Sequence, residues 1–571
     1  MKNSEIAKIF YHLALFEEMK DEFFKARAYD KAARMIEGHD REIEDVYRGG
    51  GLEALQEIES IGKAISEKIE EILKTGRLRL YEEHKKEFPI DLDGLTSLEG
   101  IGPKTIKALY QKLNVKTIED LEKIIAEGKL KKLPGFGEKK ERQIRKSIEF
   151  FKQGRGRFLL GEMLLGLRNI ESRLKRHPAA QDAMLCGSAR RMKETIGDAD
   201  FLVVSDAPDK VMDFFVTLPE VVHVYSKGTT KSNVRLSSGI DADLRIVGKE
   251  SFGAAMQYFT GNKDHNVVLR SMAIMKGWKL NEYGIYEGER QIAGKSEEEI
   301  YRVLGLDYIP PEMRENNGEI DLASSKKLPK LIEYGSLKGD LQVQTNYTDG
   351  LNSIEEMADA AKKIGLEYIA ITDHTKSLGV AGGLDEERIA DQGKHIDAIN
   401  KNLEGFRILK GAEVNILKDG TLDIADTTLK ELDVVGASVH SAFDLPKEEQ
   451  TRRVLKAVEN PNVDILFHPT GRLINKRAPY EIDIEKIIEK CSDVGTILEI
   501  NAYPDRLDLK DDYIRKAVQI GAKLCINSDA HSTSHFQYLE YGIGQARRGW
   551  VSAEDMVNTF AVNSFLASLK H

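Results

Sequence analysis

Two aspartates in one short segment, Asp198 and Asp200, have the residue type and spacing of a metal-binding pair. They alternate with apolar residues ahead of Phe201-Leu202-Val203-Val204, a pattern that predicts a β-strand. Because side chains alternate along a strand, both carboxylates project from the same face. Two carboxylates on one rigid face suit a pair of Mg²⁺ ions, which prefer oxygen ligands and substrate phosphates.

A second strand-like segment, Asp241-Ala242-Asp243-Leu244-Arg245-Ile246-Val247, offers a third carboxylate at Asp243, with Arg245 on the same face. An isolated Asp-x-Asp pair is more often a solvated turn than a metal site. Three carboxylates on two predicted strands instead favour a functional site.

A short turn precedes the aspartate pair. Gly187-Ser188 follows the apolar run Ala183-Met184-Leu185-Cys186 and precedes a predicted helix, so backbone N–H groups there can point at a phosphate. Arg190 and Arg191 follow directly. The turn, the arginines and the three carboxylates together predict a site for the transfer of a nucleotidyl group.

Three similar segments recur in the first third of the chain, at residues 58–63, 98–104 and 133–139, each between helix-like patterns and each ending in a lysine. They resemble the helix-hairpin-helix motif, in which glycines let backbone amides approach a DNA phosphate and a lysine neutralises charge. Such contacts ignore base identity, so binding should be sensitive to salt but not to sequence. Ser60 replaces the first glycine of the first copy. The predicted DNA contacts are Gly62, Lys63, Gly100, Gly102, Lys104, Gly135, Gly137 and Lys139.

The length, charge and cysteine content of the whole chain set limits on its fold and function. Its 571 residues are too many for one hydrophobic core, so several domains are expected. The net charge of −10 disfavours nucleic-acid binding, but residues 131–157 carry ten Lys or Arg against three Glu, which predicts a local phosphate-binding surface. We expect neither a signal peptide nor a membrane span, and the three scattered cysteines fit a reducing cytoplasm.

These parts resemble an X-family DNA polymerase, the class that contains DNA polymerase beta. The resemblance covers residues 1–315 and includes Ala28-Tyr29-Asp30-Lys31-Ala32-Ala33 beside the hairpins and the aspartate site. Tyr258-Phe259-Thr260-Gly261-Asn262 is similar to the family's segment under the sugar of the incoming nucleotide. Asn266 and Arg270 match the positions that reach the nucleotide base and the template side.

The resemblance implies two-metal transfer from a deoxynucleoside triphosphate to a primer 3′-hydroxyl, with Mg²⁺ or Mn²⁺. Asp198 and Asp200 would hold both ions, and Asp243 would complete the site on the primer side. Arg245 would orient the carboxylates, and Tyr258 would crowd the 2′ position of the sugar and disfavour ribonucleotides. The nucleotide-binding residues implied in this way are Gly187, Ser188, Arg191, Arg245, Tyr258, Phe259, Thr260, Gly261 and Asn266, with Ser188 and Arg191 on the β,γ-phosphates.

Lys68 matches the lysine that forms a Schiff base with an abasic-site sugar in some members of the family. That chemistry needs a neutral amine, which burial or nearby cations favour. The neighbouring Glu67, Glu70 and Glu71 act in the opposite direction, and an ordinary helix lysine with glutamate support is the alternative. The sequence leaves both interpretations open.

Beyond residue 337 the pattern alternates short apolar strands with helices, and several strands end in histidine or aspartate. Repeated βα units with polar residues at strand ends predict a TIM-like barrel. This half resembles the PHP phosphoesterase domain, whose trinuclear Mn²⁺ or Zn²⁺ site supports phosphodiester hydrolysis, including 3′→5′ exonuclease activity. The matching positions are Asp349, His374, Glu413, His440, His468, Asp529 and His531.

The opening motif of this half departs from the family pattern. Where PHP domains have Asp-Leu-His-x-His, this chain has Asp340-Leu341-Gln342-Val343-Gln344. A glutamine offers a neutral amide oxygen, which is a poor substitute for an imidazole nitrogen at a transition metal. We therefore expect a PHP fold with weak or absent hydrolase activity.

The sequence thus predicts a multidomain protein with helical N-terminal domains, an α+β palm and thumb, and a distorted α/β barrel. The expected function is gap filling in base excision repair on gapped DNA with dNTPs, by a monomer that works with a repair ligase or nuclease. A polymerase with an active exonuclease and a non-catalytic DNA-end scaffold are the alternatives. The expected divisions are a lyase-like domain 1–90, a hairpin subdomain 91–155, a palm 156–255, a nucleotide-selection subdomain 256–315, a linker 316–337 and a PHP domain 338–571.

Overall fold

The structure of the chain is a computed structural model, and it describes a nearly continuous range of residues. The described residues are 3–570 except 38, 40, 59, 97, 99–100, 134 and 155. The side chains of residues 4, 132, 139, 143, 146, 150, 151, 153 and 154 also lie outside the description.

Residues 3–154 form helices that pack into two hydrophobic cores. Periodic apolar residues explain these helices: Ile65, Ile69 and Ile72 lie on one buried face at three- and four-residue spacing. The helices are α1 (Asn3–Met19), α2 (Phe23–Glu37), α3 (Ile43–Gln56), α4 (Lys63–Thr75), α5 (Arg79–Glu87), α6 (Leu92–Thr96), α7 (Pro103–Leu113), α8 (Ile118–Ala126) and α9 (Glu138–Gly154).

The next region contains a mixed sheet with the strand order β2-β4-β7-β6-β5, in which only β4 and β7 are parallel neighbours among the described strands. Both strands predicted around the aspartates are confirmed. The elements are β1 (Phe158–Leu159), α10 (Leu160–Arg176), β2 (Asp182–Leu185), α11 (Gly187–Arg190), β3 (Thr195–Ile196), β4 (Asp198–Val204), α12 (Pro208–Val216), β5 (Val221–Lys227), β6 (Lys231–Leu236) and β7 (Asp241–Val247).

A small helical region with a three-stranded antiparallel sheet follows, as counted over the described residues. In the stretch predicted as a linker, residues 316–337, one short helix forms and Ile332 is fully buried against the last half of the chain. The elements are α13 (Phe252–Thr260), α14 (Lys263–Met275), β8 (Lys279–Asn281), β9 (Gly284–Glu287), β10 (Arg290–Ala293), α15 (Glu297–Leu304) and α16 (Glu319–Ser324).

The last half is a parallel sheet whose described strands follow chain order from β11 to β17. A parallel bridge between Val343 and Ala530 brings the first and last strands together, so the sheet is a nearly closed barrel. The elements are β11 (Gly339–Val343), α17 (Ile354–Lys363), β12 (Tyr368–Ile371), α18 (Glu386–Asn400), β13 (Arg407–Asn415), α19 (Asp426–Leu429), β14 (Val434–Ser438), α20 (Lys447–Val458), β15 (Ile465–Leu466), α21 (Ile484–Val494), β16 (Ile497–Asn501), α22 (Asp511–Gln519), β17 (Leu524–Asn527), α23 (Leu539–Arg548) and α24 (Val562–Leu566).

Within the part of the chain that the structure describes, no helix combines the length and apolarity needed to cross a membrane.

Candidate active site

The three predicted carboxylates lie together at the start of two neighbouring parallel strands. The register of β4 and β7 sets Asp200 directly opposite Asp243. Asp198 lies two residues before Asp200 on β4. Burial, and then the charges of Asp198 and Asp243, raise the pKa of Asp200 to about 7 against the opposing charges of Arg191 and Arg245. Carboxylates crowded in this way are stabilised by a hard divalent cation. The donor set therefore fits the metal ions that the family resemblance implies.

The turn at Gly187 brings the backbone against Asp200. Gly187 has a φ of 64°, and a Cβ atom there would lie 2.2 Å from Asp200 Oδ2, so glycine alone fits this position. The Cys186 N–H donates to the Asp200 carbonyl oxygen at 2.7 Å, which joins the turn to the strand. Ser188 follows in α11 and lines a cavity of about 510 Å³ beside the carboxylates.

Two side chains of β6 hold Asp243, and sequence reasoning missed both. Strand β6 pairs antiparallel with β7 and sets Asn233 opposite Asp243. The Asn233 amide donates to the Asp243 carboxylate, and Lys231 Nζ lies 3.8 Å from Asp243 Oδ2. The alternating apolar pattern of residues 231–236 predicts a strand, but only its register against β7 identifies the partners.

The arginines near the turn have different surroundings. Arg190 makes paired hydrogen bonds to Glu297, at 3.0 Å and 2.7 Å, so its guanidinium is held within the protein. Arg191 donates to Glu315 at 3.0 Å and to the Thr260 carbonyl oxygen, and it lines the cavity. Arg191 is therefore the arginine of this pair that faces a ligand space. Arg245, the third predicted arginine, lies over the Phe259 ring at 5.4 Å.

The same cavity contains the segment predicted to lie under the nucleotide. The Asn266 amide donates to the Tyr258 carbonyl oxygen at 2.8 Å and accepts from Gln257 at 2.6 Å, which fixes its orientation. Three further basic residues also line it: Arg157, which ends the basic run predicted at 131–157, and Lys193 and Lys263, which the sequence analysis did not single out. The positive charge of these side chains was the feature of the sequence that could have identified them. The predicted residues that line the cavity are Gly187, Ser188, Arg191, Asp198, Asp200, Tyr258, Phe259, Thr260, Gly261, Asn266 and Arg270.

The predicted hairpin glycines precede helices and face open space. Gly62 and Gly102 are the N-cap residues of α4 and α7, and added Cβ atoms at Gly62, Gly102, Gly135 and Gly137 would meet nothing within 4 Å. Exposed helix N-termini of this kind can accept a phosphate.

The other residues of the predicted hairpins lie in different surroundings. Lys63 is exposed, and Lys104 Nζ lies over the Phe23 ring at 4.9 Å. Ser60 has a φ of 64°, a left-handed conformation that explains why glycine is expected there. Gly100 and the side chain of Lys139 lie outside the described residues.

Lys68 lies on α4 and contacts its own helix and α2. Its Nζ donates to the Ala64 carbonyl oxygen at 3.0 Å and lies 5.8 Å from the centre of the Tyr29 ring. Glu70 pairs instead with Lys74 at 2.8 Å. The structure thus places one of the three neighbouring glutamates on another lysine.

The predicted PHP ligands gather at the ends of the barrel strands. Among the described residues, two groups could each hold an ion: Asp349 with His374 and His531, and His374 with Glu413 and His440. His374 Nε2 lies 3.6 Å from Asp349 Oδ1, and His531 Nε2 lies 3.8 Å from the same atom.

Protein side chains already surround Glu413, which lies at the centre of this cluster. Gln342 Nε2 and Gln344 Nε2 donate to Glu413 Oε2 at 3.0 Å and 2.9 Å. His468 Nε2 and Ser438 Oγ bond to Glu413 Oε1 at 2.9 Å and 2.6 Å. The amide donors stand where metal ions would need free carboxylate oxygens, so these residues do not fit a complete multinuclear centre.

Asp529, another predicted ligand, has a cationic neighbour. Arg506 Nε lies 3.5 Å from Asp529 Oδ2, and Asn501 Nδ2 donates to the same oxygen at 3.2 Å. Sequence reasoning missed Arg506, which carries a charge of the same sign as a metal ion into the cluster.

Four parts of the chain match known families. Residues 255–315 match the DNA polymerase beta thumb, and residues 340–502 match the PHP domain. Residues 1–78 match a helix-hairpin-helix domain, and residues 92–149 match a SAM-like helix-hairpin-helix tandem. The predicted fold class is confirmed.

Relatives cover either the whole chain or about a third of it. A Bacillus subtilis protein described as DNA polymerase/3'-5' exonuclease PolX is 38% identical over 575 residues, 100% of each chain. A probable phosphatase of Thermoanaerobacter sp. is 31% identical over 218 residues, 36% of this chain and 84% of the relative. A probable phosphatase of Caldanaerobacter subterraneus is 33% identical over 190 residues, 32% of this chain and 70% of the relative.

Fold and site together define a class that joins a nucleotidyltransferase palm to helix-hairpin-helix domains and a PHP barrel. The full-length identity narrows that class: the chain belongs to the X-family DNA polymerases that carry a C-terminal PHP domain. Membership of this family implies the use of divalent metal ions and of DNA as a substrate.

Proposed function

We propose that this chain is a template-dependent DNA polymerase that fills short gaps during base excision repair. It transfers a nucleotidyl group from a dNTP to a primer 3′-hydroxyl. The observation that carries this proposal is the register of β4 and β7, which crowds Asp198, Asp200 and Asp243 at the edge of a basic cavity. The six-part domain division predicted from the sequence belongs to the same proposal.

In this proposal, some residues around the cavity hold the metal ions and others bind the phosphates of the nucleotide. When bound, Mg²⁺ or Mn²⁺ would supply Lewis-acid activation of the primer hydroxyl and would offset the charge of the leaving pyrophosphate. Asp198 and Asp200 would hold both ions, and Asp243, which accepts the Asn233 hydrogen bond, would complete the site on the primer side. Ser188 and Arg191 bind the β,γ-phosphates.

Other residues select the substrate. Arg245 orients the carboxylates, and Tyr258 crowds the 2′ position of the sugar. Asn266 is held by Gln257 and the Tyr258 carbonyl oxygen where it meets the base, and Arg270 contacts the template side.

The partners follow from the same chemistry. Gapped DNA binds through the hairpin N-termini, whose phosphate contacts ignore base sequence. The protein acts as a monomer that hands its product to a repair ligase and can share the gap with a nuclease. The free, buried Cys186, Cys491 and Cys525 support a cytoplasmic location.

A 5′-deoxyribose phosphate lyase step at Lys68 is a second candidate activity. Its amine would attack the aldehyde carbon of an abasic-site sugar and form an imine with loss of water. The pairing of Glu70 with Lys74 favours this step, because it draws one carboxylate away from Lys68. Borohydride reduction should trap a covalent adduct on abasic DNA in the wild type and none in Lys68→Ala; equal trapping in both would exclude Lys68.

The PHP barrel has weak or absent hydrolase activity in this proposal and acts as a scaffold. The occupied oxygens of Glu413 and the cation at Arg506 support this conclusion. An active 3′→5′ exonuclease is the alternative, and it is favoured by the description of the Bacillus subtilis relative as a DNA polymerase/3'-5' exonuclease.

Incorporation of a labelled nucleotide into a one-nucleotide gap tests the polymerase. We expect incorporation by the wild type and its loss in Asp243→Ala, with gapped-DNA binding retained. Asp182→Ala is the matched control, because Asp182 pairs with Lys175 at 2.8 Å on the sheet edge, away from the carboxylates. Full incorporation by Asp243→Ala would contradict the assignment.

A further inference from the structure

The segment that follows the nucleotide-binding turn is held by the PHP barrel. Met192 packs against α23 so closely that a Cβ atom at Gly544 would lie 2.8 Å from Met192 Cε. Glu194 Oε2 pairs with Arg472 Nη2 of the barrel at 2.8 Å. The barrel thus contacts residues only four and six positions after Ser188.

Arg548, the last residue of α23, reaches Arg191, the residue that follows α11. Its Nη1 donates to the Arg191 carbonyl oxygen at 3.1 Å and to Glu315 Oε1 at 3.1 Å. Its Nη2 donates to the Asp511 carboxylate. The side chain is 3% exposed, so water competes little for these bonds.

Glu315 joins Arg548 to the side chain of Arg191. Its carboxylate accepts from Arg191 Nε at 3.0 Å, from Asn262 Nδ2 at 3.1 Å and from Lys193 Nζ at 3.3 Å. Burial opposes its ionisation, but the charges of Arg548, Arg191 and Lys193 lower the pKa of Glu315 to about 2. Glu315 is therefore an anion shared by three cations.

We propose that Arg548 is a positioning residue for the polymerase reaction. Arg548 holds Arg191 in place to bind the triphosphate of the incoming nucleotide. The inference rests on the proposed function, in which Arg191 binds the β,γ-phosphates. If Arg548 is removed, the negative charges of Glu315 and Asp511 remain, but one buried cation that balances them is lost. Glu315 then attracts the guanidinium of Arg191 more strongly, and its excess negative charge repels the triphosphate. The barrel contributes to polymerisation in this way whether or not its own site hydrolyses DNA.

The neighbouring Arg547 supplies a matched control. It lies on the same helix and donates to Glu312 Oε1 at 2.7 Å and to the Ile332 carbonyl oxygen at 2.7 Å. Arg547 therefore also ties the barrel to the polymerase half, but its partners here are Glu312 and Ile332 rather than Arg191 or Glu315. A role limited to holding the two halves together would make Arg547→Ala and Arg548→Ala equivalent.

Steady-state kinetics on one-nucleotide-gapped DNA, with the full-length chain, separates positioning from stability. We expect Arg548→Ala to raise the KM for dNTP about 10-fold, which is about 1.4 kcal/mol of binding, with kcat and gapped-DNA affinity within about 3-fold of the wild type. Arg548→Lys keeps the charge and should recover part of the KM. Arg547→Ala should leave the KM for dNTP unchanged. An unchanged KM in Arg548→Ala, or an equal rise in Arg547→Ala, would overturn the proposal.

Hydrogen exchange distinguishes this inference from the proposed function. In the chain without DNA or nucleotide, amides of residues 187–193 should exchange about 10-fold faster in Arg548→Ala than in Arg547→Ala. If the wild type incorporates no nucleotide but this difference appears, the polymerase assignment fails and the positioning contact stands. If Arg548→Ala does not fold, Arg548→Lys must show both the raised KM and the faster exchange, and wild-type values for either would refute the role.

Discussion

Gly187 lies against Asp200, and the absence of a Cβ atom at Gly187 leaves room for the Asp200 carboxylate. A Cβ atom there would lie 2.2 Å from Asp200 Oδ2. We expect Gly187→Ala to lower incorporation by about 100-fold or more, since a displacement near 1 Å has that effect on positioned groups. Gly166→Ala is the control, because a Cβ atom at Gly166 meets nothing within 4 Å. Comparable rates for the two variants would contradict the close approach.

Two glutamines, Gln342 and Gln344, give a second prediction at the scale of single residues. Both amides donate to Glu413 Oε2, at 3.0 Å and 2.9 Å. We expect Gln342→His with Gln344→His to increase the number of Mn²⁺ ions bound per chain and to produce Mn²⁺-dependent cleavage of single-stranded DNA, because imidazole nitrogens replace amides. Metal analysis and a nuclease assay check both. Equal metal content in variant and wild type would show that the glutamines do not limit the site.

At the scale of elements, strand and helix patterns were the predictable part of the fold. The alternation around Asp198 and Asp200 predicted β4, and the apolar strands ending in histidine predicted the barrel. Strand register was not predictable, because a slip of two residues between β6 and β7 would keep every side chain on its face and yet set a residue other than Asn233 opposite Asp243. The hydrogen bond from Asn233 to Asp243 therefore emerged only from the structure.

The hairpin helices give a prediction at this scale. Gly62 and Gly102 leave the N-termini of α4 and α7 open to a phosphate, with Lys63 and Lys104 beside them. We expect Lys63→Ala with Lys104→Ala to weaken binding equally on unrelated DNA sequences and to reduce the slope of log K against log salt by about 2. Fluorescence anisotropy over a salt series measures the slope. Lys394→Ala, which removes a surface lysine paired with Asp391 in the barrel, should leave it unchanged.

At the scale of the whole molecule, partly buried ion pairs join the barrel to the polymerase half. Arg472 with Glu194, Arg547 with Glu312 and Arg548 with Glu315 each join residues more than 230 positions apart. Nothing in local sequence predicts such pairs, because charged residues of either sign are common on surfaces and pairing depends on how domains dock. These pairs therefore join the barrel directly to the polymerase half.

A 5′-labelled primer in a one-nucleotide gap reports both candidate reactions in one assay. With Mg²⁺ and the templated dNTP, the wild type should lengthen the primer by one nucleotide, and Asp243→Ala should leave it unchanged. With Mn²⁺ and no dNTP, neither chain should shorten it. Extension that survives Asp243→Ala would contradict the polymerase site, and Mn²⁺-dependent shortening that is lost in His440→Ala would contradict an impaired PHP centre.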